Sequence, residues 1–143
     1  MGLKRDDAAL EKFREAVALE PNFDEAYFEA ALLLGKVHDS EAQFGLLNRA
    51  CALAPDEVRY NRELARLVLA ETFDEEAGLA ACDRLMITDE DNAWQYLYWI
   101  AELYIRRGWK REARDPLEKA LRLVPPERSA DRHEIETRLA SLS

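Results

Sequence analysis

Residues 94–125, WQYLYWIAELYIRRGWKREARDPLEKALRLVP, constrain the fold more than any other stretch. Ala101, Tyr104, Gly108, Ala113, Leu117, Ala120 and Pro125 stand at offsets that suit two short antiparallel helices. Small residues let the helix backbones approach, and larger ones fill the gaps beside them. Gly108 turns the corner. Pro125 ends the second helix.

The pattern recurs. Ala9, Phe13, Ala16 and Pro21 repeat the spacing of Ala113, Leu117, Ala120 and Pro125, so residues 8–21 read as the second helix of an incomplete unit. Residues 22–55 form the next unit, with Tyr27, Ala30, Ala31 and Leu34 as its inward stripe and Phe44, Leu47, Ala50 and Leu53 on its second helix. Asn22 is the expected cap of its first helix, with Glu25 three residues on, and Asp39 or Ser40 starts the second. His38 replaces the turn glycine here, Gln43 stands where a small residue is expected, and Ala42 is one place early, which predicts a shifted pairing. Residues 56–89 follow, with Leu64, Ala65 and Val68 repeating Ala30, Ala31 and Leu34 at an offset of 34. Thr72-x-x-Glu75 reads as a capping box, and Ala77 and Ala81 as small contact residues. Arg84 and Asp89 displace an alanine and a proline, which predicts looser packing at the end of that helix. The fourth unit, 92–125, begins two residues late, with Thr88, Asp91 and Asn92 as its available caps and a kink or restart expected near Asp115-Pro116. Residues 127–142 carry one narrow stripe, Ile135, Leu139 and Leu142, as a terminal capping helix needs.

Taken together, the four second-helix signatures and the near-constant spacing resemble the tetratricopeptide repeat, a 34-residue helix–turn–helix unit. The resemblance implies an all-α fold in one domain, residues 1–143: a right-handed α-α superhelix, or solenoid, of hairpins with a C-terminal capping helix. It also implies a concave surface lined by the first helices, at the second, fifth, ninth, twelfth and thirteenth places of each unit. Carried onto this chain, these are Glu25, Phe28, Leu32, Gly35 and Lys36, then Arg59, Arg62, Arg66, Leu69 and Ala70, then Gln95, Tyr98, Glu102, Ile105 and Arg106. Arg59, Arg62 and Arg66 fall on one helix face by spacing alone. Guanidinium groups there could pair with carboxylates or phosphates. The expected site is therefore a peptide-binding groove of Phe28, Leu32, Lys36, Arg59, Arg62, Arg66, Gln95, Tyr98, Glu102 and Arg106 for an acidic or carboxylate-bearing segment. The alternative is a solvated face that balances Glu29, Glu63 and Glu102. The lysine–asparagine clamp of the chaperone-binding subtype does not carry over, because Phe28, Glu29 and Leu32 occupy the second unit.

The rest of the chain narrows the function classes. Neither His38 nor His133 has a second ligand at metal-binding spacing, and no phosphate loop or nucleophile motif is present. The expectation is a non-enzyme with no cofactor and no metal. A net charge of −9 argues against nucleic acid as a partner. No apolar run reaches the length of a membrane span, so no insertion is expected. The start, MGLKRDDAAL, lacks a signal-peptide core. Cys51 and Cys82 read as core-filling residues in a reducing, cytoplasmic setting. Among the aromatics of 94–104, Tyr104 matches an inward position, while Trp94 and Trp99 read as packing or as a contact patch; Trp109 reads as a lid over its hairpin.

A lone second helix at residues 8–21 leaves an inner face uncovered, as expected of a piece of a longer array or of a homo-oligomer edge. Residues 71–91 hold eight acids against one arginine and 106–132 nine bases against five acids, an asymmetry that suits head-to-tail stacking. The second functional class is accordingly a self-associating scaffold.

Overall fold

The structure, a computed structural model, describes residues 2–71 and 74–142, with the backbone alone for 2–6. Among these residues lie eight α-helices, one short 3-10 turn and no strand. They are α1 (Gly2–Leu19), α2 (Asp24–Lys36), α3 (Ser40–Leu53), α4 (Val58–Ala70), α5 (Glu75–Thr88), α6 (Ala93–Arg106), α7 (Lys110–Leu123) and α8 (Ser129–Ser141), with the 3-10 turn at Glu90–Asn92 between α5 and α6. The most extensive contacts are within the hairpins α2/α3, α4/α5 and α6/α7, and α3/α4 and α5/α6 join them in sequence. The chain is thus a solenoid, in which each hairpin covers the apolar face that its neighbour cannot bury alone.

The close-approach residues sit where their size is needed. Ala31, Ala65, Ala101, Ala113, Leu117 and Ala120 are fully buried. Two cores result, one around Leu47, Tyr60, Leu64 and Cys82, the other around Trp94, Ala101, Leu117 and Ile135. Gly108 adopts φ +82 at its turn, and His38 takes the same left-handed conformation at φ 59 in the earlier hairpin. The turn geometry is therefore kept without the glycine, and histidine is among the side chains that tolerate it.

Several local expectations are corrected. Gln43, where a small residue is expected, fits because Gly35 makes room for it: a methyl group on Gly35 would lie 2.7 Å from the Gln43 amide nitrogen. Leu69 and Ile105 stand at the matching place in the later units. α2 starts after Phe23 with no side-chain cap, so Asn22 does not cap it. Asp39 caps α3 by accepting from the Ala42 N–H at 3.3 Å. Thr72 lies outside the described residues; Asp74 caps α5, accepting from Glu76 N–H at 3.0 Å. Thr88 and Asn92 turn to other work: the Thr88 hydroxyl donates to the Arg84 carbonyl, and the Asn92 amide to Asp89.

The end of α5 is pinned rather than loose. Arg84 donates to the side-chain oxygen of Asn61 at 2.8 Å, while the Asn61 amide donates to the Pro55 and Glu57 carbonyls. Asn61 is wholly buried, so this network satisfies a polar group that would otherwise be costly. α7 also runs unbroken through Pro116, with no restart at Asp115. Pro116 cannot donate to the Glu112 carbonyl. Its ring is nonetheless buried beside Ala113 and Leu117, and packing holds the helix together.

Candidate functional site

The first helices α2, α4 and α6, followed by α8, present the side chains in question. Arg59 bridges two units. Its guanidinium meets both Glu25 oxygens, at 3.3 and 3.1 Å, and Glu57 at 2.9 Å. It also lies over the Phe28 and Tyr60 rings. Phe28 beneath it is buried. Glu25 is held below the usual carboxylate range by the Arg59 hydrogen bonds first and the Tyr60 hydroxyl second.

Arg62 makes the next bridge. It donates to the Tyr96 hydroxyl at 2.6 Å and to Gln95 at 3.3 Å, and stacks over Tyr96 and Trp99. Tyr96 in turn donates a short hydrogen bond to Asp89. Asp89 is lowered chiefly by that bond, and Tyr96 is pushed up to about 12, by burial first and Asp89 second. Arg66 is different: it is exposed, and its ion partner Glu63 is on its own helix at 3.4 Å.

The fourth unit is braced in the same way. Arg106 does not serve its own helix end. It donates to the carbonyls of Val68 and Leu69 in the last turn of α4 and of Glu71 just beyond it, at the negative end of that helix dipole. Glu102 accepts both arms of Arg138 from α8, at 2.5 Å each, and Tyr98 donates to Glu134 at 3.1 Å. Burial first, then Glu102 and Glu134, raises Tyr98 above the ordinary phenol value.

The ten expected groove residues therefore divide. Leu32 and Lys36 line a recess of about 460 Å³ between α1 and α2, together with Ala9, Phe13 and Ala16. Phe28, Arg59 and Arg62 are buried or tied across units. Tyr98, Glu102 and Arg106 line a second recess, of about 510 Å³, between α4, α6 and α8. Leu69, Trp99 and Ile105 supply its apolar lining, and Gln95 lines a smaller depression beside Trp94, Tyr98 and Trp99. Glu134 and Arg138 are lining residues that the sequence did not single out, and Trp99 is one that it left open between packing and a contact patch. Glu134 and Arg138 had one signal: they follow Tyr98 and Glu102 by 36 residues, close to the repeat length.

What the arrangement offers is a trough with apolar lining and charged walls. Among the described residues, no group of three His, Cys, Asp or Glu is placed to hold a metal ion. No described helix is long and apolar enough to cross a membrane. Burial first raises both thiols, Cys51 to about 11 and Cys82 to about 12.

Comparison of the coordinates with solved structures now decides the fold class. A crystal structure of MamA superposes with a TM-score of 0.70, at 14% identity over 97% of this chain and 81% of that one. MamA 41-end from Desulfovibrio magneticus RS-1 gives 0.67, at 15% identity over 98% and 86%. The chain has a tetratricopeptide-type fold. The Yersinia enterocolitica type III secretion chaperone SycD, in complex with a peptide of the translocator YopD, resembles this solenoid with a TM-score of 0.68, at 18% identity over 82% of this chain and 90% of that one. No family model matches the chain. No curated protein matches it either.

Proposed function

We propose that this tetratricopeptide-type solenoid is a non-catalytic protein- or peptide-binding module, working as part of a larger assembly. The observation that carries the reading is the recess between α4, α6 and α8, where Leu69, Trp99 and Ile105 stand together between charged walls. Apolar and aromatic anchors in a concave setting are what peptide recognition uses, with polar groups at the rim setting orientation. The SycD complex lends support, since a solenoid of similar fold is solved with a bound peptide.

The acidic preference rests on Arg66 of α4, which is exposed, whereas Arg59 and Arg62 would have to release Glu25 and Tyr96 before meeting a ligand. An acidic residue flanking an apolar anchor would suit Arg66. The test is selection from a random peptide library on the wild type, with Trp99→Ala, Arg66→Ala and the surface control Ile87→Ser screened in parallel. The reading requires an enriched motif that Trp99→Ala loses and Ile87→Ser keeps. Equal binding by Trp99→Ala would remove the recess from the account, and equal binding by Arg66→Ala the acidic preference.

A second reading is favoured by the recess between α1 and α2. Its lining is mostly apolar, with Ala9, Phe13, Ala16, Ala26, Ala30, Leu32 and Leu33, which suits a self-associating scaffold.

A further inference from the structure

We infer that two copies of this chain join head to tail, with α8 of one copy lying in the recess between α1 and α2 of the next; this rests on the self-association reading above. α1 occupies the place of a second helix: its Ala9, Phe13 and Ala16 correspond to Ala113, Leu117 and Ala120 of α7. The α7 residues are fully buried, whereas Ala9, Phe13 and Ala16 are half-exposed and line the recess. No first helix stands beside α1 among the described residues.

α8 occupies the complementary place. Glu134 and Arg138 meet Tyr98 and Glu102 across a separation of 36 residues, so α8 is set as the first helix of a following unit. The same offset carries Ala101 onto Thr137 and Tyr104 onto Ala140. Ala101 shares a core with Ala113 of its own hairpin partner. Thr137 and Ala140 are exposed. His133 and Thr137 also border a shallow depression of about 490 Å³ that extends to Tyr98, Glu134 and Arg138 on the α6 side. Docking α8 beside α1 of a second copy sets Thr137 against Ala9, the pairing that Ala101 and Ala113 make within one chain, and completes one hairpin at every junction.

Charge agrees with this register. Lys12, Glu29 and Lys36 line the recess, and α8 brings the exposed Glu136. With His133 and Glu136 on the docking face, the junction is polar at its edges and sensitive to salt. It is also heterologous, because the two surfaces differ, so copies add in a row instead of closing as a twofold dimer.

The experiment is sedimentation velocity on the 143-residue chain across a hundredfold concentration range. Ala9→Arg obstructs the recess, Thr137→Arg obstructs α8, and Lys12→Glu serves as a milder recess variant, with circular dichroism checking that each folds. The inference expects wild-type mass to grow with concentration and to fall with added salt. It expects each arginine variant alone to stay monomeric, and an equimolar mixture of the two to form a one-to-one dimer and nothing larger. Lys12→Glu should weaken wild-type association severalfold. A wild type that is monomeric throughout overturns both this inference and self-association. Association that survives Thr137→Arg but not Ala9→Arg, or a mixture that stays monomeric, overturns the head-to-tail register alone.

Discussion

Arg62 of α4 donates to the hydroxyl of Tyr96 on α6, 34 residues later, at 2.6 Å, and Tyr96 passes the interaction on to Asp89. An arginine placed on a helix face that could bind ligand is thereby engaged within the fold. Arg59 with Glu25 and Arg138 with Glu102 repeat the device at other unit boundaries. Tyr96→Phe removes the hydroxyl from between Arg62 and Asp89 in a buried setting. We expect a loss of about 1–3 kcal/mol, read from urea unfolding, because both partners lose a hydrogen bond. A loss below the error of the measurement would show that the bridge contributes nothing net.

The same network makes stability depend on acid. Glu25 and Asp89 are lowered from ordinary carboxylate values, chiefly by hydrogen bonds to Arg59 and Tyr96 respectively. A depressed carboxylate contributes stability that is present above its unfolded value and is lost as pH falls through the folded one. The urea midpoint should therefore hold steady above about pH 4.5 and drop below it, and Tyr96→Phe should shallow that drop. A midpoint unchanged between pH 5 and about pH 3 would contradict the assignment.

Gly78 of α5 has no room for a side chain. A methyl group there would lie 2.7 Å from Val68 Cγ1 and 3.3 Å from Leu103 Cδ1. Gly78→Ala should destabilise by about 1–3 kcal/mol through overpacking. The double variant with Val68→Ala should recover part of that loss, which a thermal unfolding cycle measures as a favourable coupling.

His38 carries the left-handed turn that Gly108 takes without strain. His38→Gly should stabilise by about 0.5–1 kcal/mol, the relief of the turn being partly offset by a freer unfolded chain. His38→Val should destabilise, since a β-branched side chain is poorly tolerated there. Equal unfolding midpoints for the three proteins would show that the turn stores no strain.

The thiols of Cys51 and Cys82 are raised by burial to about 11 and 12. Both should resist a thiol reagent at pH 8 in the native state and react at once in urea. Rapid labelling of the folded protein would show that the core between α3 and α5 opens readily.

The architecture was legible because it is written in residues whose role depends on spacing alone. Ala101, Ala113, Leu117 and Ala120 mark one hairpin, and the same periods mark the others, whatever surrounds them. Substitutions with distant compensation were harder to read. Gln43 looks misplaced until Gly35 is seen beneath its amide, and Arg84 looks disruptive until Asn61 is seen to receive it. The candidate site suffered most from this. Helical spacing puts Arg59, Arg62 and Arg66 on one face, but it does not show that Glu25 and Tyr96 stand opposite two of them. Acidic or phenolic residues one repeat length away were the available clue. Trp99 carried no such mark, since an aromatic at helical spacing packs inward as readily as it lines a groove.

The central claim is that the trough between α4, α6 and α8 is where a partner binds. Backbone and indole chemical shifts, followed while a library-selected peptide is titrated into labelled protein, test it most directly. The account predicts shifts concentrated at Leu69, Tyr98, Trp99 and Ile105, with the Trp109 indole unmoved. Shifts gathered on α3 and α5 instead would contradict it.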